Sequence, residues 1–252
     1  MNRAPIGKQS ECADDLALVN REFPLRDLRP VLLAPVGLPS DSALMERRAA
    51  ALLNKLMQDI GGWSMIAAVS GWRSVEEQKK IWDDSLAANG EAYTRQFVAL
   101  PGQSEHHTGL AIDLGLRQSS PDIICPDFPY EGICQTFRSK APQYGFIQRY
   151  PSGKEHITGI AHEPWHFRYV GIPHAELITM MGITLEEYLV LLEGHAIGGK
   201  PFIFKSAQYE FELSYAASEL ALSGFMPGDS SVFISEDGRG GYVVTAWKNR
   251  EV

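Results

Sequence analysis

Histidine and acidic residues with the spacing of metal ligands occur in two short stretches of the chain. The sequence has seven histidines, and five of them lie in the range 106–166. In the first stretch, His106 falls in a predicted loop and Asp113 follows seven residues later in a predicted strand. Gly109 between them permits a turn that a side chain would obstruct. A catalytic zinc ion takes three protein ligands of these types and keeps an open position for water, so this stretch predicts two of its ligands.

The second stretch, His162-Glu-Pro-Trp-His166, places Glu163 three residues before His166. Pro164 makes a regular helix less favourable and favours an extended or turn conformation at Glu163. The pattern therefore differs from the HExxH zinc helix, in which two histidines lie four residues apart on one face. It predicts that His166 binds the metal while Glu163 lies beside the open coordination position.

A third candidate, Arg73, lies in the segment Ser-Gly-Trp-Arg-Ser (70–74), between a predicted strand and a predicted helix. A guanidinium held at such a turn can stabilise negative charge that grows on a scissile carbonyl, or can grip a carboxylate. Arg73 could instead pair with Glu76 or Glu77. Residue type and spacing leave both interpretations open.

Other assignments of the same residues also remain open at this point. Asp113 could cap a turn, and Glu163 could be a solvated charge. Spacing alone therefore does not decide whether the zinc site exists. Three further histidines are alternative ligands: His107, His156 and His162.

Short strands and helices must position these residues. Apolar periodicity, Gly and Pro stops and capping residues predict helices over 41–60, 75–88, 91–99, 133–144 and 185–193. The same signals predict strands over 64–70, 110–116, 146–150 and 167–170. Three prolines make the segment 117–132 a predicted loop, and the segment is a candidate lid over the site.

The composition changes at Gly198-Gly-Lys-Pro201, which predicts a domain boundary. We expect a catalytic domain over 1–198 and a small C-terminal α/β appendage over 199–252. In the appendage the sequence predicts strands over 202–205, 231–235 and 242–247, a helix over about 211–222, and a hairpin turn over 237–241.

The overall composition excludes some classes of function. The formal net charge is −8 without a cluster of Lys and Arg, which argues against nucleic acid as a partner. No apolar run approaches the roughly 18 residues of a membrane span, and residues 1–24 lack a secretion signal, so we expect a cytoplasmic protein. The three cysteines are expected to be free thiols, although a Cys125–Cys134 disulfide is conceivable.

Taken in order, these motifs resemble a known family. The patterns Ser104-x-His106-x-x-Gly109-x-Ala111-x-Asp113 and Glu163-x-x-His166 resemble those of the zinc D,D-peptidases of glycopeptide resistance, which comprise the VanX, VanY and VanXY types. The longer strings at 70–78, 100–115 and 153–171 look closest to the bifunctional VanXY and the VanY types.

The resemblance implies an α+β fold with a small antiparallel sheet flanked by helices. It implies zinc as the cofactor, with Glu163 as general base and acid and Arg73 as the group that stabilises the tetrahedral oxyanion. It also implies further roles, with these residues: zinc ligands His106, Asp113 and His166; substrate-holding residues Gln78 and Ser104; and Trp165, which shapes the pocket.

The activity implied is hydrolysis of the dipeptide D-Ala-D-Ala and removal of the terminal D-Ala from a cell-wall precursor pentapeptide, which contributes to vancomycin-type resistance. VanY enzymes usually begin with a membrane anchor, so its apparent lack favours the cytoplasmic VanXY type. His162 departs from the aromatic residue that many relatives carry. A peptidoglycan endopeptidase that cuts an L-Ala–D-Glu bond and a non-catalytic peptidoglycan-binding domain remain alternatives.

Overall fold

The computed structural model describes residues 13–25, 31–117, 122–223, 225 and 230–250. The chain forms two compact units, one spanning Val19–Thr184 and one joining the residues up to Leu18 with Leu185–Val252. The helix Leu185–Glu193 therefore belongs to the same unit as the C-terminal strands. The domain boundary after residue 198 stays a prediction.

The larger unit alternates short strands and helices, as the sequence predicts. Its strands are β1 (Leu33–Val36), β2 (Ala43–Glu46), β3 (Ile66–Ser70), β4 (Ala111–Leu116), β5 (Phe146–Tyr150) and β6 (Glu163–Tyr169). Its helices are α1 (Arg47–Ile60), α2 (Val75–Asn89), α3 (Glu91–Phe97), α4 (Gly132–Lys140), α5 (Glu155–Thr158) and α6 (His174–Met181). The described part of the predicted loop 117–132 contains no helix or strand before α4.

A four-stranded antiparallel sheet is the centre of the larger unit, with the strand order β3-β4-β6-β5. Antiparallel strands place directly opposite residues on the same face of the sheet. In this register Asp113 lies opposite His166, so the pairing of β4 with β6 brings together two residues that are 53 positions apart. The predicted α+β class with a small antiparallel sheet is confirmed.

The predicted helix over 41–60 is wrong at its start. Residues 43–46 form β2, which pairs with β1, and their side chains alternate between the core and solvent. The Glu46 side chain then accepts hydrogen bonds from the backbone N–H groups of Arg48 and Ala49 and caps α1. The helix ends at Gly61, which adopts the left-handed conformation.

The core of the larger unit lies between α1, α4 and the central sheet. Side chains such as Leu53, Ile112 and Phe167 are fully buried there, and each contributes roughly 1.5–3 kcal/mol relative to an exposed position. The predicted helix 133–144 ends early at Lys140, because Pro142 lacks the N–H that a longer helix would need, and a 3-10 turn follows.

An ion pair ties the end of β4 to the segment before β2. Both Arg117 Nη atoms lie 2.8 Å from the Asp41 carboxylate oxygens, and the Leu38 N–H donates to the same carboxylate at 3.0 Å. Burial opposes ionisation of Asp41, but these donors outweigh it and hold its pKa below the usual value. This pair stabilises the fold away from the residues predicted to do chemistry.

The C-terminal unit contains a second four-stranded antiparallel sheet, with the order β7-β8-β10-β9. The elements are α7 (Leu185–Glu193), β7 (Phe202–Lys205), β8 (Tyr209–Ala216), α8 (Glu219–Ser223), β9 (Ser231–Glu236) and β10 (Tyr242–Asn249). The predicted helix over 211–222 is wrong over 211–216, because Phe211 and Leu213 are buried with a period of two and pair with β7 and β10. The turn that joins β9 to β10 falls at the predicted hairpin.

Cys125 and Cys134 are free thiols, the first half-buried and the second buried. Cys12 lies outside the described residues. Within the described ranges, none of the helices is long and apolar enough to cross a membrane.

Candidate metal centre and active-site cleft

Three of the predicted site residues form one buried group. His106 comes from a 3-10 turn over Glu105–Thr108, Asp113 from β4 and His166 from β6. One ligand atom from each lies within 4.8 Å of the others. Two imidazoles and a carboxylate with this spacing have the composition of a catalytic zinc site.

Two glycines fix the turn that carries His106. Gly109 closes the turn with φ of 70°, and its carbonyl accepts a hydrogen bond from the Glu46 N–H at 2.8 Å. Gly71 packs so closely on the preceding β2 strand that a Cβ there would lie 2.2 Å from the Leu44 carbonyl oxygen. The close approach of Gly71 also places its own carbonyl oxygen 2.7 Å from His106 Nδ1.

The hydrogen-bond partners define the tautomer of His106. Because the partner of Nδ1 is a carbonyl oxygen, Nδ1 carries the proton, and the lone pair of Nε2 accepts from Arg73 Nη2 at 3.1 Å. Nε2 lies 3.1 Å from Asp113 Oδ2. Burial lowers the pKa of His106 to about 4, so the imidazole is neutral at pH 7, as a metal ligand must be.

The His166 ring lies between two carboxylates. Its Nε2 faces Glu105 Oε2 at 3.5 Å, while its Nδ1 lies 2.8 Å from Asp113 Oδ1. Burial disfavours the charged imidazole, but the carboxylates of Asp113 and Glu105 outweigh it and raise the pKa of His166 to about 9. The space among His106 Nε2, His166 Nδ1 and the Asp113 carboxylate therefore attracts positive charge, and this donor set suits zinc.

Glu163 lies at the first position of β6 and is buried, with Oε2 3.9 Å from His166 Nδ1. Burial raises the pKa of Glu163 to about 8, and the neighbouring Asp113 carboxylate adds to the rise. A divalent cation beside it would favour the ionised carboxylate. This is the environment expected of a general base and acid that works near neutral pH.

Arg73 points into the same group and does not pair with the alternative carboxylates that follow it in sequence. Its Nη2 donates to Asp113 Oδ2 at 2.7 Å and its Nε donates to Ser70 Oγ at 2.7 Å. Glu77 instead forms a capping box with Ser74 at the start of α2. The guanidinium is thus held in place beside the proposed metal position.

A cleft of about 490 Å³, open to solvent, leads to these residues. The predicted substrate residues Gln78, Ser104 and Trp165 all line it and are buried. The Gln78 amide bridges Arg73 Nη1 at 3.1 Å and the Ala99 carbonyl at 2.8 Å. The remaining wall is mostly apolar and comprises Ile81, Phe97, Val98, Ala99, Glu105, Ile123, Ile124, Tyr150 and Ile160.

The three alternative histidine ligands lie elsewhere. His107 uses both ring nitrogens on the backbone, at Gly102 N and Arg73 O. His156 is exposed on α5. His162 Nε2 lies 2.6 Å from the Tyr130 hydroxyl, outside the cleft lining.

Sequence reasoning missed the buried charged residues that lie next to His166. Glu105 is fully buried against Arg149 on β5 and Arg168 on β6. Two features of the sequence could have indicated this contact. Glu105 is next to His106, and Arg168 follows His166 by two residues on the same strand. Without the pairing of β5 with β6, these charges could not be distinguished from solvated ones.

The sequence matches a family model and several known proteins. The model of VanY, D-alanyl-D-alanine carboxypeptidase, matches residues 42–172. The bifunctional D-Ala-D-Ala dipeptidase and D-Ala-D-Ala carboxypeptidase VanXYC of Enterococcus gallinarum is 45% identical over 175 residues, which cover 69% of this chain and 92% of that protein.

Two solved structures extend the comparison. The vancomycin-resistance D,D-dipeptidase VanXYg, solved with a phosphinate analogue of D-Ala-D-Ala, is 43% identical and superimposes with a TM-score of 0.87 over 93% of this chain and 94% of that one. A mutant of the D,D-pentapeptidase VanY from a VanB-type resistance cassette, solved with Zn(II), is 32% identical with a TM-score of 0.57 and covers 69% of this chain and 98% of that one. By the family model, the close relative and the shared fold together, the chain belongs to the VanY family of D-alanyl-D-alanine carboxypeptidases.

Proposed function

We propose that this chain is a zinc-dependent D,D-peptidase that hydrolyses D-Ala-D-Ala and removes the terminal D-Ala from a cell-wall precursor pentapeptide. The observation that carries the proposal is the buried group of His106, Asp113 and His166, which opens into a cleft beside Glu163 and Arg73. VanXYC of Enterococcus gallinarum, a relative named for both activities, supports the pairing of substrates.

His106, Asp113 and His166 would hold the zinc ion through Nε2, a carboxylate oxygen and Nδ1. Zinc, when bound, supplies Lewis acidity that polarises a carbonyl and makes water more acidic. Three protein ligands leave room for substrate on the cleft side. The Gly71 carbonyl holds the His106 ring in place through Nδ1.

Glu163 handles the protons of the reaction. Its carboxylate takes a proton from the attacking water and then gives it to the departing amine of the terminal D-Ala. Its burial at the cleft wall shields this exchange from bulk water. No covalent bond between enzyme and substrate is required.

Arg73 stabilises the oxyanion that forms at the carbonyl of the penultimate D-Ala. Its guanidinium is oriented by Ser70 Oγ and Gln78 Oε1, so its charge is in position before the substrate arrives. We assign Gln78 and Ser104 to hold the substrate carboxylate or backbone. Trp165 and the apolar wall would contact the methyl groups of D-alanine.

The enzyme would hydrolyse the dipeptide D-Ala-D-Ala and also remove the terminal D-Ala from precursors that end in it. The intact precursors that remain would then have a different C-terminal end. This outcome is how such an activity contributes to vancomycin-type resistance, and it requires weak cleavage of D-Ala-D-Ser. A cytoplasmic location is part of this proposal, since the precursor is made there, and cell fractionation with an antibody tests it. The segment 117–132, of which residues 118–121 lie outside the described ranges, stays a candidate lid that would set the balance between the two substrates.

The alternative activities are less well supported. An L-Ala–D-Glu endopeptidase and a non-catalytic binding domain would each fit the fold, but the relatives reported above are named for cleavage at D-Ala-D-Ala ends. A binding domain also has no need of a buried carboxylate beside the metal position.

The test offers the zinc-loaded protein two substrates and identifies the products by mass spectrometry. These are D-Ala-D-Ala and a pentapeptide, L-Ala-γ-D-Glu-L-Lys-D-Ala-D-Ala. We expect free D-Ala from both, and no release from a matched pentapeptide ending in D-Ala-L-Ala. Release of the N-terminal L-Ala would instead show an endopeptidase, and binding without turnover would show a binding domain.

A further inference from the structure

The turn that carries His106 also places a carboxylate, that of Glu105, beside the second histidine ligand, His166. Glu105, the first residue of this turn, is fully buried, and its Oε2 lies 3.5 Å from His166 Nε2. Oε1 is contacted by Arg149 Nε at 2.8 Å and by Arg168 Nη1 at 3.0 Å. The side chains of Glu105 and both arginines have no exposed surface.

This arrangement determines which nitrogen of His166 would face a metal ion. Both ring nitrogens face carboxylates, Nδ1 that of Asp113 and Nε2 that of Glu105, so with a metal ion on Nδ1 the ring would keep the Nε2 proton and donate it to Glu105. Metal-binding histidines commonly donate their second N–H to a carboxylate, which fixes the ring and makes it a stronger ligand. Tyr150 packs on the other side, with its ring centroid 4.9 Å from that of His166.

The two arginines hold the carboxylate in turn. Arg168 lies two residues after His166 on β6, and Arg149 comes from the neighbouring strand β5. A buried carboxylate with two guanidinium groups is costly to desolvate, and an apolar cluster of the same volume is often as stable. A role of the Glu105 carboxylate at the metal site would explain why the chain keeps this buried charge.

We propose that Glu105, held by Arg149 and Arg168, is a positioning residue that sets the tautomer and orientation of His166 for metal binding. The inference rests on the proposed zinc site. One turn would then support two ligands, because it carries His106 itself and also Glu105, which contacts His166.

The test replaces Glu105 by glutamine and measures zinc affinity of the purified metal-free protein by competition with a chromogenic chelator. The glutamine oxygen can still accept from the arginines, but its NH₂ group then faces the His166 N–H, donor against donor. We expect zinc binding to weaken about 10- to 100-fold. The d–d absorption bands of the cobalt-substituted protein are expected to shift, since the ligand geometry changes.

The matched control is Asp41→Asn, which breaks the ion pair with Arg117 away from the site. This variant is expected to lower the melting temperature while leaving the zinc affinity and the cobalt bands as in the wild type. If Glu105→Gln does not fold, the double variant Glu105→Gln/Arg149→Met removes one charge of each sign, and the same loss of zinc affinity is expected.

Two results would overturn the inference in different ways. Wild-type zinc affinity and cobalt bands in a folded Glu105 variant would show that the cluster serves stability alone, with the zinc site intact. A wild-type protein that binds no zinc would refute the metal site itself, and the inference with it.

Discussion

Replacement of Glu163 by glutamine is expected to lower kcat for D-Ala-D-Ala about 10²- to 10⁴-fold, the usual contribution of a general acid–base group. Glutamine keeps the shape of the side chain but cannot accept the proton of the attacking water. KM should change little, because Glu163 acts on the water and the leaving amine. The measurement is steady-state release of D-Ala by the zinc-loaded variant.

Zinc content separates this effect from loss of the metal. Glu163 is not one of the proposed ligands, so the variant should bind zinc with the stoichiometry of the wild type. Glu155→Gln, on the exposed start of α5, is the matched control and should retain full activity. A Glu163→Gln variant that holds zinc and keeps wild-type kcat would remove Glu163 from the mechanism.

Replacement of Arg73 by alanine is expected to lower kcat about 10²- to 10³-fold, the range measured when an oxyanion-stabilising donor is removed. The partly buried guanidinium is oriented by Ser70 Oγ and Gln78 Oε1, so its charge is in place before the transition state forms. Arg73→Lys should recover part of the activity, because it restores a charge without the planar donor geometry.

The matched control for Arg73 is Arg95→Ala, which removes an exposed guanidinium that pairs with Glu91 on α3. We expect wild-type kcat in this variant. A phosphinate analogue of D-Ala-D-Ala should bind the Arg73→Ala variant much more weakly than the wild type, since it mimics the tetrahedral oxyanion. An unchanged affinity for that analogue would contradict the role assigned to Arg73.

The sequence predicts the residues that meet at the site better than it predicts some of the elements around them. His106, Asp113, Glu163 and His166 stand in short motifs whose order and spacing are specific. The structure brings these residues together as the resemblance implies. Their roles as ligands and base remain predictions until metal and turnover are measured.

Two segments were predicted as helix and are strand, at 43–46 and at 211–216. Both segments are short, and their apolar residues fit a period of 3.6 as well as a period of 2. Pairing with a distant strand decides the outcome, and that pairing is not visible in a local window.

Glu105 shows why the layer behind the ligands escaped the sequence analysis. An acidic residue next to His106 is equally consistent with a solvated charge. Its meaning depends on Arg149 and Arg168, which lie more than 40 residues away and reach it through the pairing of β5 with β6.

We propose that one zinc ion, held by His106, Asp113 and His166, makes this chain a D,D-peptidase. The most direct measurement is titration of the metal-free protein with zinc while the release of D-Ala from D-Ala-D-Ala is followed. We expect no release without metal, and a rise in rate that ends at one zinc per chain and is absent in Asp113→Asn. Full activity in the metal-free protein, or a zinc-loaded protein that leaves the dipeptide intact, would contradict the account.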